Sequence, residues 1–315
     1  MARVVFMGTP DFAVPILEAL SRAHDVRGVV TQPDRPTGRG RQLSSSSVKQ
    51  TAENLGLSLY QPRTLNTPEA FAQLAKWKPD VIVVAAFGQI LRPNVLTLPP
   101  WGCVNVHASL LPRWRGAAPV AAAILAGDAV TGVTIIKMDE GIDTGPILAQ
   151  REQVVQPDDT RATLTRHLAD LGAQVLLETL PVYLAGGLVP CPQPDGGAAY
   201  ASALRKENGR LDWACPATEL ERIVRAFTPW PGAFTVWQGR RLKVLAATAI
   251  AVWYGEDTPG QVVDLEDGAG VVTGEGVLRL DQLQLAGKRP MDSVTFVRGQ
   301  RDFVGSRLGT ERNTA

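Results

Sequence analysis

Short apolar runs alternate with helical segments through the first half of this chain. The runs Arg3–Gly8, Asp80–Phe87 and Gly102–Ala108 are typical of strands in a parallel sheet, since helices cover both faces of such a sheet. Amphipathic stretches such as Thr67–Trp77 separate these runs, so helical crossovers are expected to join the strands. This pattern predicts an α/β fold on a doubly wound, mainly parallel sheet.

The sequence changes character near residue 188. Val189–Gly197 has proline or glycine at most positions, which is typical of a linker. Beyond it, short strand-like runs with turn residues between them predict a small β-barrel or sandwich. We expect a first domain over residues 1–188, a linker over 189–205 and a C-terminal β-barrel over 206–315.

Charge and cysteine content narrow the classes of protein that fit. Lys and Arg total 32 against 31 Asp and Glu, giving a formal net charge of +1, so any nucleic acid must bind a local basic patch. The three cysteines include no Cys-x-x-Cys pair, which argues against a disulfide framework or a thiolate zinc site. The apolar runs are too short to span a bilayer. We therefore expect a cytoplasmic protein without a metal or a membrane partner.

Two polar residues interrupt one apolar strand near its carboxyl end. Asn105 and His107 are two positions apart, so both side chains should face the same side of the strand, at the end where open α/β sheets bind ligands. Asp143 follows another predicted strand and can meet His107. An amide, an imidazole and a carboxylate together can polarise a carbonyl oxygen and move one proton. The structural alternatives are a hydrogen-bonded polar pair and an aspartate that binds only its own turn.

Longer motifs around these residues resemble those of the folate-dependent formyltransferases. The Asn-x-His pair continues as Ser-Leu-Leu-Pro and Arg-x-Arg-Gly, and Asp-x-Gly-x-Asp-Thr-Gly follows at Asp139–Gly145. The resemblance extends through Ala226–Gly232 and Leu285–Lys288 and so covers nearly the whole chain. It implies a Rossmann-like formyltransferase domain followed by an OB-like β-barrel that binds tRNA.

The resemblance also implies a reaction and its site residues. The formyl group of 10-formyltetrahydrofolate, the donor co-substrate, would pass to the α-amino group of methionine on initiator methionyl-tRNA, for translation initiation. Asn105 and His107 would donate to the carbonyl oxygen and Asp143 would accept the amine proton. The segments that would contact folate comprise Phe87, Gly88, Gln89, Ile90, Leu91, Ser109, Leu110, Leu111, Pro112, Asp139 and Gly141. We expect a monomer.

A basic stretch is the candidate contact for tRNA. Residues 35–49 hold Arg35, Arg39, Arg41 and Lys49 and no acidic residue, and such a loop can bind a phosphate backbone. The resemblance makes Arg35, Arg39 and Arg41 candidates for contact with the acceptor stem. The alternative is that these cations serve solubility alone.

Two other functions fit part of this pattern. A formyltransferase acting on another amine, such as an amino sugar, would share the catalytic set but should lack the loop around Arg39. A non-catalytic tRNA-binding factor on the same scaffold would have no use for intact Asn105, His107 and Asp143.

Overall fold

A computed structural model describes residues 1–37 and 42–309. The chain divides into two compact units. The first unit consists of Met1–Val120, Ala129–Val155 and Thr163–Ala203, and the second of Ala121–Asp128, Gln156–Ala162 and the residues from Leu204 on. The stretch whose composition predicts a linker therefore lies almost entirely within the first unit. Two short segments from the predicted first domain group with the second unit.

The chain contains strands in both units and helices between them. The strands are β1 (Arg3–Gly8), β2 (Asp25–Val30), β3 (Arg35–Thr37), β4 (Gln42–Ser44), β5 (Leu59–Tyr60), β6 (Val81–Ala85), β7 (Cys103–His107), β8 (Arg115–Gly116), β9 (Val130–Lys137), β10 (Ile147–Val154), β11 (Tyr200–Ala201), β12 (Ala233–Trp237), β13 (Arg240–Ile250), β14 (Val262–Leu265), β15 (Gly268–Val272), β16 (Val277–Leu285) and β17 (Met291–Asp292). The α-helices are α1 (Val14–Ala23), α2 (Ser47–Asn54), α3 (Pro68–Lys76), α4 (Pro93–Leu96), α5 (Pro119–Ala126), α6 (Arg161–Leu184), α7 (Ala217–Phe227) and α8 (Ser293–Gly299). Among the described residues, no helix has both the length and the apolar character that crossing a membrane requires.

The first unit is built on a seven-stranded sheet in the order β10-β9-β7-β6-β1-β2-β5. The strands from β7 to β5 pair in parallel, which confirms the predicted α/β class. Every residue of β6 and β7 is buried, as expected for central strands covered on both faces. Local capping supports the helices between strands: α3 begins at Pro68, and the Thr67 side chain accepts a hydrogen bond from the amide of Ala70, which satisfies one free donor of the first turn.

The far edge of this sheet is an antiparallel hairpin. β9 runs antiparallel to β7, and β10 antiparallel to β9. The connection between them, Met138–Pro146, is shorter than the crossover of about a dozen residues that a parallel pair needs. The hairpin therefore sends its connecting loop back towards β7, which matters for the site described below.

The second unit is built on an antiparallel sheet in the order β12-β13-β16-β15-β14, with β17 added to β16. Its core contains Trp237, Leu242 and Phe296 and receives the buried face of α7. Among the described residues, the segment after α8 binds both outer strands: the Ser306 carbonyl accepts from Val262, and the Gly309 amide donates to Val236. This sheet confirms a C-terminal antiparallel β-domain, while its closure into a barrel by strand pairing stays a prediction.

Candidate active site

The three predicted catalytic side chains meet beside β7. Asn105 and His107 are buried, with 8% and 6% of their surface exposed. Asn105 Nδ2 donates to Asp143 Oδ1 at 3.2 Å, and His107 Nδ1 lies 3.5 Å from Asp143 Oδ2. The structure thus brings together the amide, the imidazole and the carboxylate that the sequence pattern singles out.

The loop between β9 and β10 carries Asp143 to this place. The loop leaves the sheet beside the first residues of β7, where the Met138 amide donates to the Cys103 carbonyl. Asp143 then adopts a left-handed backbone with φ of +54°, which costs on the order of 1 kcal/mol for a residue with a Cβ. Gly145 has to be glycine, because a Cβ there would overlap the carbonyl oxygen of Lys137. Surrounding contacts must therefore hold this conformation.

Backbone groups of the segment after β7 complete the site. The Gly116 amide donates to Asp143 Oδ2 at 2.8 Å. His107 Nε2 lies 2.9 Å from the carbonyl oxygen of Trp114, and because a carbonyl only accepts, this nitrogen carries the proton. His107 Nδ1 is then the atom that faces the carboxylate. No side-chain pattern in the sequence signals these two contacts, since main-chain atoms make them.

Half of the predicted folate residues in the 109–112 segment are buried in the fold. The Ser109 hydroxyl donates to the Arg113 carbonyl at 2.7 Å, and the Ser109 carbonyl accepts from Thr134. Leu111 is also buried and donates its amide to Thr134 Oγ1 at 3.0 Å. Leu110 and Pro112 are half-buried. Ser109 and Leu111 thus shape the segment, while Leu110 and Pro112 keep part of their surface exposed.

The predicted folate segment after β6 divides in the same way. Phe87 and Leu91 are buried, whereas Gly88 is exposed and Ile90 is 73% exposed. The Gln89 side chain accepts a hydrogen bond from the amide of Leu65 at 3.1 Å, which fixes the turn of the segment. Gly88 and Ile90 therefore remain accessible to a ligand beside the carboxyl end of β6.

Asp139 and Gly141 form the first turn of the loop that carries Asp143. Both are exposed, and Asp139 Oδ1 accepts hydrogen bonds from the Gly141 amide at 3.0 Å and from the Thr144 hydroxyl at 2.7 Å. These contacts belong to a turn in which an aspartate binds its own backbone. Asp139 therefore organises the loop from within.

The basic stretch is only partly described. Arg35 is exposed on β3, and its Nη2 donates to Gln32 Oε1 at 3.2 Å. Lys49 Nζ lies 2.6 Å from Asp34 Oδ2, and this hydrogen bond lowers the pKa of Asp34 and raises that of Lys49. Arg39 and Arg41 lie outside the described residues. Of the cations in this stretch, Lys49 is thus already neutralised by a neighbour.

One site residue comes from the stretch predicted to be a linker. Gln193 Nε2 donates to the carbonyl oxygens of Asp143 and Gly145, at 2.8 Å in each case. Proline and glycine content hid this residue, because composition describes local flexibility and not contacts made across the chain. In residues 1–37 and 42–309, no group of three or more His, Cys, Asp and Glu is placed to hold a metal ion.

Solved structures share this architecture. One is an N-formyltransferase from Helicobacter canadensis, in complex with folinic acid and dTDP-3-aminofucose: its TM-score is 0.66 at 18% identity, over 89% of this chain and 99% of that one. Another is HypX from Aquifex aeolicus in complex with tetrahydrofolic acid, with a TM-score of 0.64 at 19% identity. The match covers 99% of this chain but 51% of HypX, so the chain spans about half the length of that protein. At such identities the likeness concerns the fold.

Sequence comparisons identify the family of this chain. A formyl transferase family model matches residues 2–180, and the model of the formyl transferase C-terminal domain matches residues 203–301. The methionyl-tRNA formyltransferase of Magnetococcus marinus is 50% identical over 309 residues, which are 98% of this chain and 98% of that protein. This chain therefore belongs to the formyl transferase family.

Proposed function

We propose that this protein transfers the formyl group of 10-formyltetrahydrofolate to the α-amino group of methionine on initiator methionyl-tRNA. The product is N-formylmethionyl-tRNA, which serves translation initiation in the cytoplasm. The observation that carries the proposal is the meeting of Asn105, His107 and Asp143 beside β7, in a chain whose full-length relatives bear the name of this activity. Neither a nucleophilic serine nor a cysteine is needed for such a direct transfer.

The geometry supports a role for each of the three side chains. The methionine amine attacks the formyl carbon, and the carbonyl oxygen gains negative charge. Asn105 has two amide protons, and the one not bound to Asp143 is available to that oxygen. His107 supplies a second donor: its Nε2–H, which binds the Trp114 carbonyl at 2.9 Å, is shared with the formyl oxygen as negative charge develops there.

Asp143 manages the proton of the reaction. As the new N–C bond forms, the amine nitrogen releases a proton, which the Asp143 carboxylate accepts. The bond from the formyl carbon to folate nitrogen then breaks, and that nitrogen takes up a proton as tetrahydrofolate leaves. The Gly116 amide donates to Asp143 Oδ2 at 2.8 Å and so holds this carboxylate oxygen in place.

The folate and tRNA sites follow from accessible residues. We place the pterin against Gly88 and Ile90 and against Leu110 and Pro112, with the Asp139–Gly141 turn as the third wall. Arg35, Arg39 and Arg41 contact the acceptor stem. The C-terminal domain, residues 206–315, forms an OB-like β-barrel and binds tRNA, after a catalytic domain over 1–188 and the connection 189–205, and the enzyme works as a monomer.

The test is an assay with two acceptors. The purified protein is incubated with 10-formyltetrahydrofolate and either initiator methionyl-tRNA or a nucleotide-linked amino sugar, and the blocked amine is detected by mass spectrometry. We expect formylmethionine on the tRNA and no formylated sugar, and we expect Asn105→Ala to abolish most of the product. Formylation of the sugar alone would establish the amino-sugar alternative. Binding of tRNA without product would establish the binding factor.

A further inference from the structure

The backbone of Asp143 needs an external restraint. Its φ of +54° is unusual for a residue with a side chain, and the loop around it, from Met138 to Pro146, contains neither helix nor strand. Asn105 and Gly116 bind the carboxylate oxygens and so fix the end of the side chain. They leave the peptide groups on either side of the Asp143 Cα to be held by something else.

Gln193 is the side chain that holds the peptide group after the Asp143 Cα, and it also holds the peptide group that follows Gly145. Its Nε2 donates to the carbonyl oxygens of Asp143 and Gly145, each at 2.8 Å. Its Oε1 accepts from Arg115 Nε at 3.1 Å and from Arg115 Nη2 at 2.7 Å. One amide therefore joins the loop that carries Asp143 to the residue before Gly116, the other backbone partner of the same carboxylate.

Gln193 is itself anchored on both sides by what we call the 191–201 segment, Cys191–Ala201. At its start, Cys191 and Ile147 exchange amide-to-carbonyl hydrogen bonds of 2.8 and 2.7 Å. At its end, Ala199 and Ala201 pair with the strand of Arg115 and Gly116. A Cβ on Gly116 would lie 2.8 Å from the Ala201 carbonyl oxygen, so the two backbones pack closely. The segment thus has fixed ends and one side chain turned into the site.

We propose that Gln193 is a positioning residue for the formyl transfer: it sets the orientation of the Asp143 carboxylate by holding the backbone of its loop against Arg115. This inference rests on the proposed function, which assigns Asp143 as the acceptor of the amine proton. Gln193 makes no contact with the reacting atoms in this scheme. Its loss should therefore lower kcat while leaving the KM values for both substrates nearly unchanged.

Two variants and a matched control test the idea. Gln193→Leu removes all four hydrogen bonds, and Gln193→Glu has nearly the same shape, keeps the acceptor for Arg115 and loses the donor to the two carbonyls. We expect both to lower kcat about ten- to a hundredfold, as misplacement of a catalytic group does. Gln153→Leu is the control, since Gln153 also donates to a backbone carbonyl, that of Val154 at 3.1 Å, but far along β10. It should retain the kcat of the parent protein.

A double-variant cycle separates positioning from general damage. In an Asp143→Asn background, the substitution Gln193→Glu should reduce the residual kcat by less than about twofold, because residues that act as one unit are not additive. A loss as large as in the parent protein would show that Gln193 acts elsewhere, and wild-type kcat in Gln193→Glu would also overturn the proposal. If Gln193→Leu fails to fold, the near-isosteric Glu variant carries the test.

A second measurement does not depend on which substrate is used. The chain has only three histidines, so the ring-nitrogen NMR signals of His107 can be assigned with a His107→Gln variant. We expect Gln193→Glu to shift the His107 signals, because Asp143 faces Nδ1, and to leave those of His24 and His167 in place. Unchanged His107 signals would refute the positioning role. An inactive parent protein with shifted signals would instead refute the proposed function alone.

Discussion

Asp143 accepts hydrogen bonds at both carboxylate oxygens and at its backbone carbonyl. The sequence alone could single out Asp143 as a candidate site residue, because glycines flank it and a predicted strand precedes it. Asn105 and His107 could be predicted as well, since polar residues on a buried apolar strand are unusual. The groups that orient these side chains could not be predicted, because the Trp114 carbonyl and the Gly116 amide are main-chain groups, which the identity of a side chain does not reveal.

Substitution of the proposed catalytic residues should separate activity from folding. We expect Asn105→Ala to lower kcat about a hundredfold, equivalent to about 3 kcal/mol, because it removes a donor to the developing negative charge. Asp143→Asn should cost a similar factor, since an amide cannot accept the amine proton. The check is steady-state kinetics beside thermal unfolding. A kcat within twofold of the parent value in either variant would contradict the assigned roles.

The cysteines should differ sharply in reactivity. Burial raises the pKa of the Cys103 thiol to about 12, so almost no thiolate forms near neutral pH, and only the thiolate reacts. Cys191 is exposed on the 191–201 segment. Iodoacetamide followed by peptide mass spectrometry should therefore modify Cys191 first and Cys103 only after unfolding. Rapid labelling of Cys103 in the folded protein would contradict this burial.

At the scale of elements, the pattern of apolar residues predicted where strands lie but did not predict whether neighbouring strands run parallel or antiparallel. The runs around β1 and β6 are mainly apolar, β7 is apolar apart from Asn105 and His107, and the three form neighbouring parallel strands in the sheet. β9 is largely apolar, whereas β10 carries polar residues from Gln150 to Gln153. The two strands form an antiparallel hairpin because their connection is too short for a crossover. Strand direction thus depends on loop length, and the position of Asp143 depends on that direction.

The pair of Arg3 and Asp80 ties the start of β1 to the residue before β6. Asp80 accepts from the Arg3 guanidinium at 2.5 Å and from its amide at 2.8 Å, and these bonds lower the pKa of the Asp80 carboxyl. The lowered pKa makes a stabilising contribution above the ordinary carboxyl pKa of about 4, which is lost as the pH falls through the folded-state value.

We therefore expect Asp80→Asn to lose about 1 kcal/mol of unfolding free energy at neutral pH, since the pair is partly exposed and partly screened. The difference between the parent and the variant should shrink as the pH falls below about 4. Urea unfolding at several pH values measures it. A difference that grew on acidification would show that the carboxylate does not stabilise the fold.

At the scale of the whole molecule, the positive and negative charges nearly cancel, so a nucleic acid can be attracted only by a local group of basic residues. The net charge of +1 provides no general attraction for tRNA. The sequence predicted two structural units, but it did not predict that Ala121–Asp128 and Gln156–Ala162 group with the second. Such grouping depends on tertiary packing between segments distant in sequence, for which local composition carries no signal.

The basic stretch provides a test at this scale. Replacing Arg39 and Arg41 with alanine should weaken tRNA binding and reduce the steepness of log K against log salt by about 1 to 2. The reason is that fewer phosphate contacts form on binding, so fewer counterions are released from the tRNA. Folate binding should not change. Filter binding of initiator methionyl-tRNA at several salt concentrations measures the slope. An unaltered slope in this double variant would remove these arginines from the interface.

The 191–201 segment also determines where the chains of two relatives can be joined into an active chimeric protein. Its proline and glycine content makes it an obvious place to join the amino-terminal half of one protein to the carboxyl-terminal half of another. A junction before Gln193 would pair the Asp143 loop of one parent with the glutamine-bearing segment of the other. Chimeras joined after Ala203, where the first unit ends, inherit the Asp143 loop and Gln193 together and should keep the turnover of their amino-terminal parent.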